Sequence, residues 1–295
     1  MDVKALLATG YRWLFAKPHR PGSSPLIVVM IPLIGKARAQ DWQRVCDILE
    51  DTLASLRAQS YRNFEVLLCS QDRPDNFPDG ENHHFIPAPP HNAAPNVSDH
   101  RLKIRLMTEY AARSFDRFSY VMHLDADDLL HPDLFRYVAQ DNNGRGYLVG
   151  QGYMMDAQTG RLAPLGRAIG GTTEFWQHCG SCAFFAVDWG KQRFPVFFLR
   201  LMGKGHKNYA DRARRLGYPL AAIPFPAMLY VVNHGDNLQT RKGNDKLRYL
   251  THLEITEPER LAAIRAEFGL SEGTDEHGVE GGRALLRSCQ PVISS

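Results

Sequence analysis

No run in the 295 residues reaches the roughly 20 apolar residues that a membrane-spanning helix needs; the longest, residues 26–34, has the length of a strand. Charge of one sign is also missing. The 35 lysines and arginines stand against 32 acids, for a net charge of +3, which gives no electrostatic footprint for nucleic acid. Cysteine is sparse: five residues, at 46, 69, 179, 182 and 289, form an odd and dispersed set that suits a reducing compartment. Residues 1–16 carry Lys4, Tyr11, Arg12 and Trp13 where a secretory leader would be uninterrupted and apolar. No internal repeat is visible. These absences leave the expectation of a cytoplasmic protein with an ordinary core, 44% apolar and 23% charged.

Residues 1–20 suggest a short amphipathic helix in which Tyr11, Trp13 and Phe15 mix with Lys4, Arg12 and Lys17. A helix docked on the core is favoured, and peripheral contact with the inner face of a membrane is the alternative. Residues 18–25 (PHRPGSSP) read as a linker. Residues 26–31 (LIVVMI) are a fully buried strand. Asp41 is a plausible N-cap for a helix whose Trp42, Val45, Leu49, Leu53 and Leu56 share one face. With residues 64–69 (FEVLLC) as the next strand, this is a βαβ unit and implies a parallel sheet. Residues 71–97, with Pro74, Pro78, Pro87, Pro89, Pro90 and Pro95, read as a long loop, and 99–115 as a helix.

The stretch 118–132 (FSYVMHLDADDLLHP) organises the rest. Its apolar half is a buried strand that breaks into Asp125, Asp127 and Asp128. In an extended segment residues two apart face the same side, so Asp125 and Asp127 can converge on a hard divalent cation, Mn2+ or Mg2+. The competing reading is a solvated turn before the helix at 132–138. Beyond it, 146–155 reads as one strand, 158–173 as a glycine-rich loop and 181–187 as a strand. A short basic helix follows at 208–216, then strands at 220–223 and 227–232. Thr256-Glu257-Pro258-Glu259 looks like a capping box opening a helix to Gly269, and the last 25 residues like a loose tail. Cys179-Gly180-Ser181-Cys182 has C-x-x-C spacing, but no second pair supplies a zinc site and a strand rather than a helix follows, so a structural role is expected.

The pattern resembles a family 2 glycosyltransferase of the nucleotide-diphospho-sugar (GT-A) fold. The resemblance lies in the opening unit with its run 55–66 (SLRAQSYRNFEV) and in the strand entering Asp125-Ala126-Asp127. A third part is Leu216-Gly217-Tyr218 followed by Ile223-Pro224, Tyr230 and His234. It covers about residues 25–240. It implies an α/β, GT-A-like fold: a mixed, mostly parallel sheet flanked by helices in a single domain over 25–240. Residues 1–24 would be an N-terminal helix and linker, and 241–295 a C-terminal helix and flexible tail. It also implies a metal-dependent, inverting transfer of a sugar from a UDP- or GDP-sugar to a glycan or lipid-linked acceptor, with no nucleic acid involved.

Carried onto this chain, the resemblance implies Asp125 and Asp127 at the cation, with His234 as a third ligand. The donor's base and ribose would rest near Pro32, Leu33 and Asp72. Lys204 and Lys207, in a loop with hinge glycines, and Lys103 would meet the phosphates, with Asp125 also on the donor side. The chain departs from the family at Ile34 and Gly35, at Ser70 and Gln71, and at the Glu-Asp pair whose Asp is the usual base. His206 and Lys207 occupy that neighbourhood, with Asp211 one helical turn on, so His206 and Asp211 are the candidate bases; Asp188 and Glu174 are outsiders. Two other readings stay open. One is a catalytically inactive relative that binds a nucleotide sugar or glycan. The other is a sugar-phosphate nucleotidyltransferase, which the loop 32–39 matches poorly.

Overall fold

The computed structural model describes residues 24–90, 99–191, 194–202, 205–233 and 245–270. In chain order the elements are β1 (Leu26–Pro32), α1 (Trp42–Arg57), β2 (Phe64–Ser70), β3 (His83–Pro87), α2 (His100–Ser114) and β4 (Phe118–His123). Then come β5 (Asp128–Leu130), α3 (Leu134–Asp141), β6 (Gly146–Val149), β7 (Gly152–Asp156), β8 (Leu162–Leu165) and β9 (Ala183–Asp188). The described chain closes with α4 (Phe194–Met202), α5 (Tyr209–Arg215), β10 (Ala221–Ile223), β11 (Met228–Val232), α6 (Asp245–His252) and α7 (Pro258–Glu267).

Because Leu26 to Ile31 carry no polar alternation, β1 must be covered on both faces, and it lies inside a seven-stranded sheet of order β10-β6-β9-β4-β1-β2-β3. Strand β9 runs antiparallel to both neighbours; every other pairing in that sheet is parallel. The expected mixed, mostly parallel sheet flanked by helices is therefore what the chain forms. Asp41 caps α1, its Oδ1 accepting from the Arg44 N–H at 3.0 Å, and the helix buries Val45, Leu49, Leu53 and Leu56. The phenylalanines of β9 alternate across the sheet: Phe184 meets Phe135 of α3, whereas Phe185 meets Phe198 of α4 and Tyr209 of α5.

The chain passes from β1 outward through β2 and β3, then crosses to the other side of β1 as β4. That reversal makes the carboxyl ends of β1 and β4 the topological switch point, the position at which open α/β sheets collect ligands. The end of the first crossover braces the chain that follows β4. The Gln59 side chain donates to the His131 carbonyl at 2.9 Å and accepts from the Phe135 N–H at 3.1 Å. The Ser60 hydroxyl donates to Asp133 at 2.8 Å.

A second sheet, β5-β11-β7-β8, stands beside the first. Its residues Leu129, Tyr153, Leu162 and Leu229 share an apolar cluster with Ile255, Ile264 and Phe268, so the described residues 255–270 pack on this sheet.

Several expectations are corrected. The segment 71–97 contains an edge strand, β3, hidden from the pattern because its histidines are half-buried; His84 Nε2 meets Glu65 Oε2 at 2.8 Å. The run 146–155 is two strands in different sheets. Gly152 marks the change, because a Cβ there would lie 2.4 Å from the Met228 carbonyl oxygen. Strand β8 lies in the expected loop 158–173, and helices α4 and α6 were not foreseen. The capping box does not form: α7 starts at Pro258 behind Glu257, without a side-chain cap. The expected helix at 1–20 and the tail after 270 lie outside the described residues.

Candidate functional site

The three acids do not sit in an extended strand. After β4 ends at His123 the chain turns, the Asp128 N–H meeting the Asp125 carbonyl at 3.3 Å, and β5 begins at Asp128. The turn folds the third acid back on the first two. One carboxylate oxygen from each of Asp125, Asp127 and Asp128 lies within 4.8 Å of the others. This is the only such group of potential metal ligands among the described residues.

The loop 179–182 forms the floor. Asp128 is fully buried, and its Oδ2 accepts from the Cys179 thiol at 3.0 Å and the Ser181 hydroxyl at 2.5 Å. Ser181 Oγ also accepts from the Asp125 N–H at 2.8 Å. Asp128 Oδ1 has no partner. Burial, then the negative charges of Asp127 and Asp125, hold the Asp128 carboxyl well above the usual carboxylate range. Burial followed by Asp127 raises Asp125 to about 7. Three converging oxygen donors, one of them buried with an unused lone pair, fit a hard divalent cation, which would satisfy Oδ1 and let the carboxylates ionise together. Cys179 and Cys182 are buried free thiols, raised in pKa chiefly by burial, consistent with a supporting role.

Gly180 lies between the acids and a histidine. A Cβ at Gly180 would stand 3.5 Å from Asp125 Oδ2 and 3.8 Å from His206 Nδ1. The Gln177 backbone favours the protonated form of His206, while Nε2 is buried without a partner. Burial lowers the His206 pKa despite the Gln177 contact, which keeps the ring neutral near pH 7. Lys207 beside it is exposed, and its charge also depresses His206 and His178.

The other foreseen residues distribute as follows. Pro32 ends β1 at the switch point. Leu33 is buried and its N–H meets the Cys69 carbonyl at 2.9 Å. Asp72 accepts from the Lys36 N–H at 2.7 Å and shapes the first loop. Lys103 does not reach outward: only 2% exposed, it donates to the Leu33 carbonyl at 2.6 Å and pairs with Asp99 at 2.9 Å. Asp211 is exposed and pairs with Arg214 at 2.9 Å. Lys204 and His234 lie outside the described residues. A cavity of about 380 Å³ between α2 and α4, lined by His100, Ile104, Thr108, Val196 and Arg200 among others, includes none of the acids.

Sequence reasoning missed Asp128, Ser181 and Lys246. Lys246, on α6, has its ammonium 4.1 Å from the centre of the Tyr230 ring, and Tyr230 is the cross-strand partner of Asp128.

No family model matches the chain, and no curated protein matches it. Solved structures give partial superpositions. TarS of S. aureus aligns with a TM-score of 0.37 at 11% identity, over 83% of this chain and 42% of that one. The glycosyltransferase GlyE of Streptococcus pneumoniae TIGR4 gives 0.37 at 13% identity over 83% and 63%, and its apo form 0.36 at 12% over the same shares. The chain thus spans less than two thirds of each of them. A likeness of this size carries no argument about activity, so any functional reading must come from the residues themselves. Among the described residues, no helix is long and apolar enough to cross a membrane.

Proposed function

We propose that the protein is a glycosyltransferase that moves a sugar from a nucleoside-diphosphate donor to a hydroxyl acceptor, with a divalent cation held by Asp125, Asp127 and Asp128. The observation that carries this reading is the convergence of three carboxylate oxygens within 4.8 Å beyond the carboxyl end of β4, where Asp128 also keeps a buried oxygen without a partner. When bound there, Mn2+ or Mg2+ would act as a Lewis acid on the departing diphosphate. Ser181 and Cys179 hold Asp128 through Oδ2 and leave Oδ1 available to a ligand.

His206 is the proposed base. Nε2, which has no partner, is the nitrogen proposed to take the proton of an attacking hydroxyl, and the lowered pKa keeps it ready at neutral pH. Asp211, turned outward to Arg214, fits that role less well. The donor's nucleoside would lie along Pro32 and Asp72, near the switch point between β1 and β4. The inverting outcome, UDP or GDP as nucleotide, and a glycan or lipid-linked acceptor follow from the sequence resemblance and belong to the same proposal. So do Lys207, Lys204 and His234 as further donor or metal contacts; a cytoplasmic site of action is proposed from the composition, with peripheral membrane contact through residues 1–20 as the alternative to a helix docked on the core.

The test is donor hydrolysis over a panel of UDP-, GDP- and CMP-sugars with manganese. Wild type should release nucleotide, and Asp127→Ala and His206→Ala should each lose at least about 100-fold in kcat. The pH profile should rise to a plateau with its midpoint below 6.5, the ordinary histidine value from which His206 is lowered. Turnover retained by Asp127→Ala would refute the assignment of the metal. Binding without turnover in wild type would favour a sugar-nucleotide binder.

A further inference from the structure

The Lys246 ammonium is buried yet has no hydrogen-bond acceptor. The Tyr230 ring beneath it, at 4.1 Å, offers a cation–π contact but no lone pair for its three N–H donors. A desolvated ammonium without an acceptor is costly unless a ligand supplies one. Its location says which kind. Tyr230 stands directly opposite Asp128 in the β5/β11 ladder, so the two side chains share a face and Lys246 lies on the acids' side of the second sheet. Burial lowers the Lys246 pKa most, and the neighbouring Cys179, Asp128, Asp127 and Asp125 oppose it. Asp128 Oδ1 and the Lys246 ammonium, on the same face of the second sheet, are thus both buried without a partner and do not bond each other. A group that satisfies both must accept hydrogen bonds at one end and help coordinate a cation at the other. A diphosphate does both.

We propose that Lys246 grips the diphosphate of the donor from the side opposite the acids, so that the leaving group is clasped between an ammonium and the carboxylate-held cation. The proposal rests on the nucleoside-diphosphate reading above and adds to it the residue that binds the leaving group. The α6 helix holds Lys246 there through its neighbour Tyr249, whose hydroxyl donates to the Pro164 carbonyl at 2.9 Å and whose ring meets His178 at 5.2 Å.

The test is calorimetric titration of the whole chain with manganese alone, then with pyrophosphate in the presence of manganese. Lys246→Met, which keeps an unbranched side chain against Tyr230, should bind manganese at least as tightly as wild type, because a repelling charge is gone. It should bind pyrophosphate with manganese about 10-fold or more weakly. Lys246→Arg should recover most of that loss. If Lys246→Met fails to retain manganese binding, Lys246→Gln carries the same prediction. Equal pyrophosphate affinity in wild type and Lys246→Met would overturn the proposal while leaving the donor reading intact. Wild type that binds manganese but no pyrophosphate would overturn both.

Discussion

Lys103 and Lys246 both bury their ammonium groups, and their surroundings differ in kind. Lys103, beneath the first loop, donates to the Leu33 carbonyl and pairs with Asp99, which also accepts from Gln71 at 2.7 Å. Lys246, at the rim of the acids, rests on a tyrosine ring and donates to nothing. A buried charge whose bonds are complete is part of the scaffold. One whose bonds are missing marks the place where the scaffold expects something else. The same distinction separates Asp128 Oδ2, which accepts from two donors, from Oδ1, which accepts from none.

The largest effect should come from breaking the complete set. Lys103→Met takes the donor from the Leu33 carbonyl and one cation from Asp99, and should lower unfolding free energy in urea by about 3 kcal/mol. Lys246→Met should change it by less than about 1 kcal/mol. Similar losses at both sites would erase the contrast.

Asp125→Asn should sharpen it from the acidic side. With a pKa of about 7 in the fold and 3.8 otherwise, Asp125 keeps its proton where the unfolded chain has released it. Stability of the metal-free protein therefore falls as pH rises from about 4 to about 7. At pH 8 without metal, the Asn variant should be more stable than wild type by about 2 kcal/mol, and manganese should reverse the order. A wild type that is the more stable of the two without metal would show that Asp125 is held by the fold rather than reserved for a ligand.

His123 supplies a control that lies in the core, with neither ring nitrogen bonded. Burial, helped slightly by His100, depresses its pKa to about 3 from 6.5. Unfolding then takes up a proton as pH falls from about 6.5 toward 3, and stability drops by up to about 1.4 kcal/mol per unit. His123→Leu should flatten that acid limb in thermal melts at pH 5 and leave manganese binding unchanged. An unaltered limb would assign the acid sensitivity to another group. The smallest effect on stability belongs to Gly180→Ala. Its methyl would meet Asp125 and His206 at ordinary contact distances, so melting should move little while donor turnover falls.

The same contrast explains what could be read from the sequence. Strand β1 and helix α1 were legible because complete burial leaves a pattern: an unbroken apolar run, and Val45, Leu49, Leu53 and Leu56 at helical spacing. The acids were legible as a cluster but not in their arrangement. Alternation along a strand paired Asp125 with Asp127, whereas the turn after β4 brings in Asp128 as well. Lys103 was read as reaching outward, although its place beside Ile104 and Met107 on the inward face of α2, four residues after Asp99, was a signal for burial. Lys246 left no local signal. Its role arises from the packing of α6 against a sheet whose strands lie far from it in sequence, and only the assembled fold brings its ammonium over Tyr230.

Crystals soaked with UDP and manganese, measured at the manganese absorption edge, test the central claim most directly. The account predicts one strong anomalous peak within bonding distance of carboxylate oxygens of Asp125, Asp127 and Asp128, with the diphosphate between it and Lys246. Nucleotide bound with no anomalous peak among those three acids would contradict it.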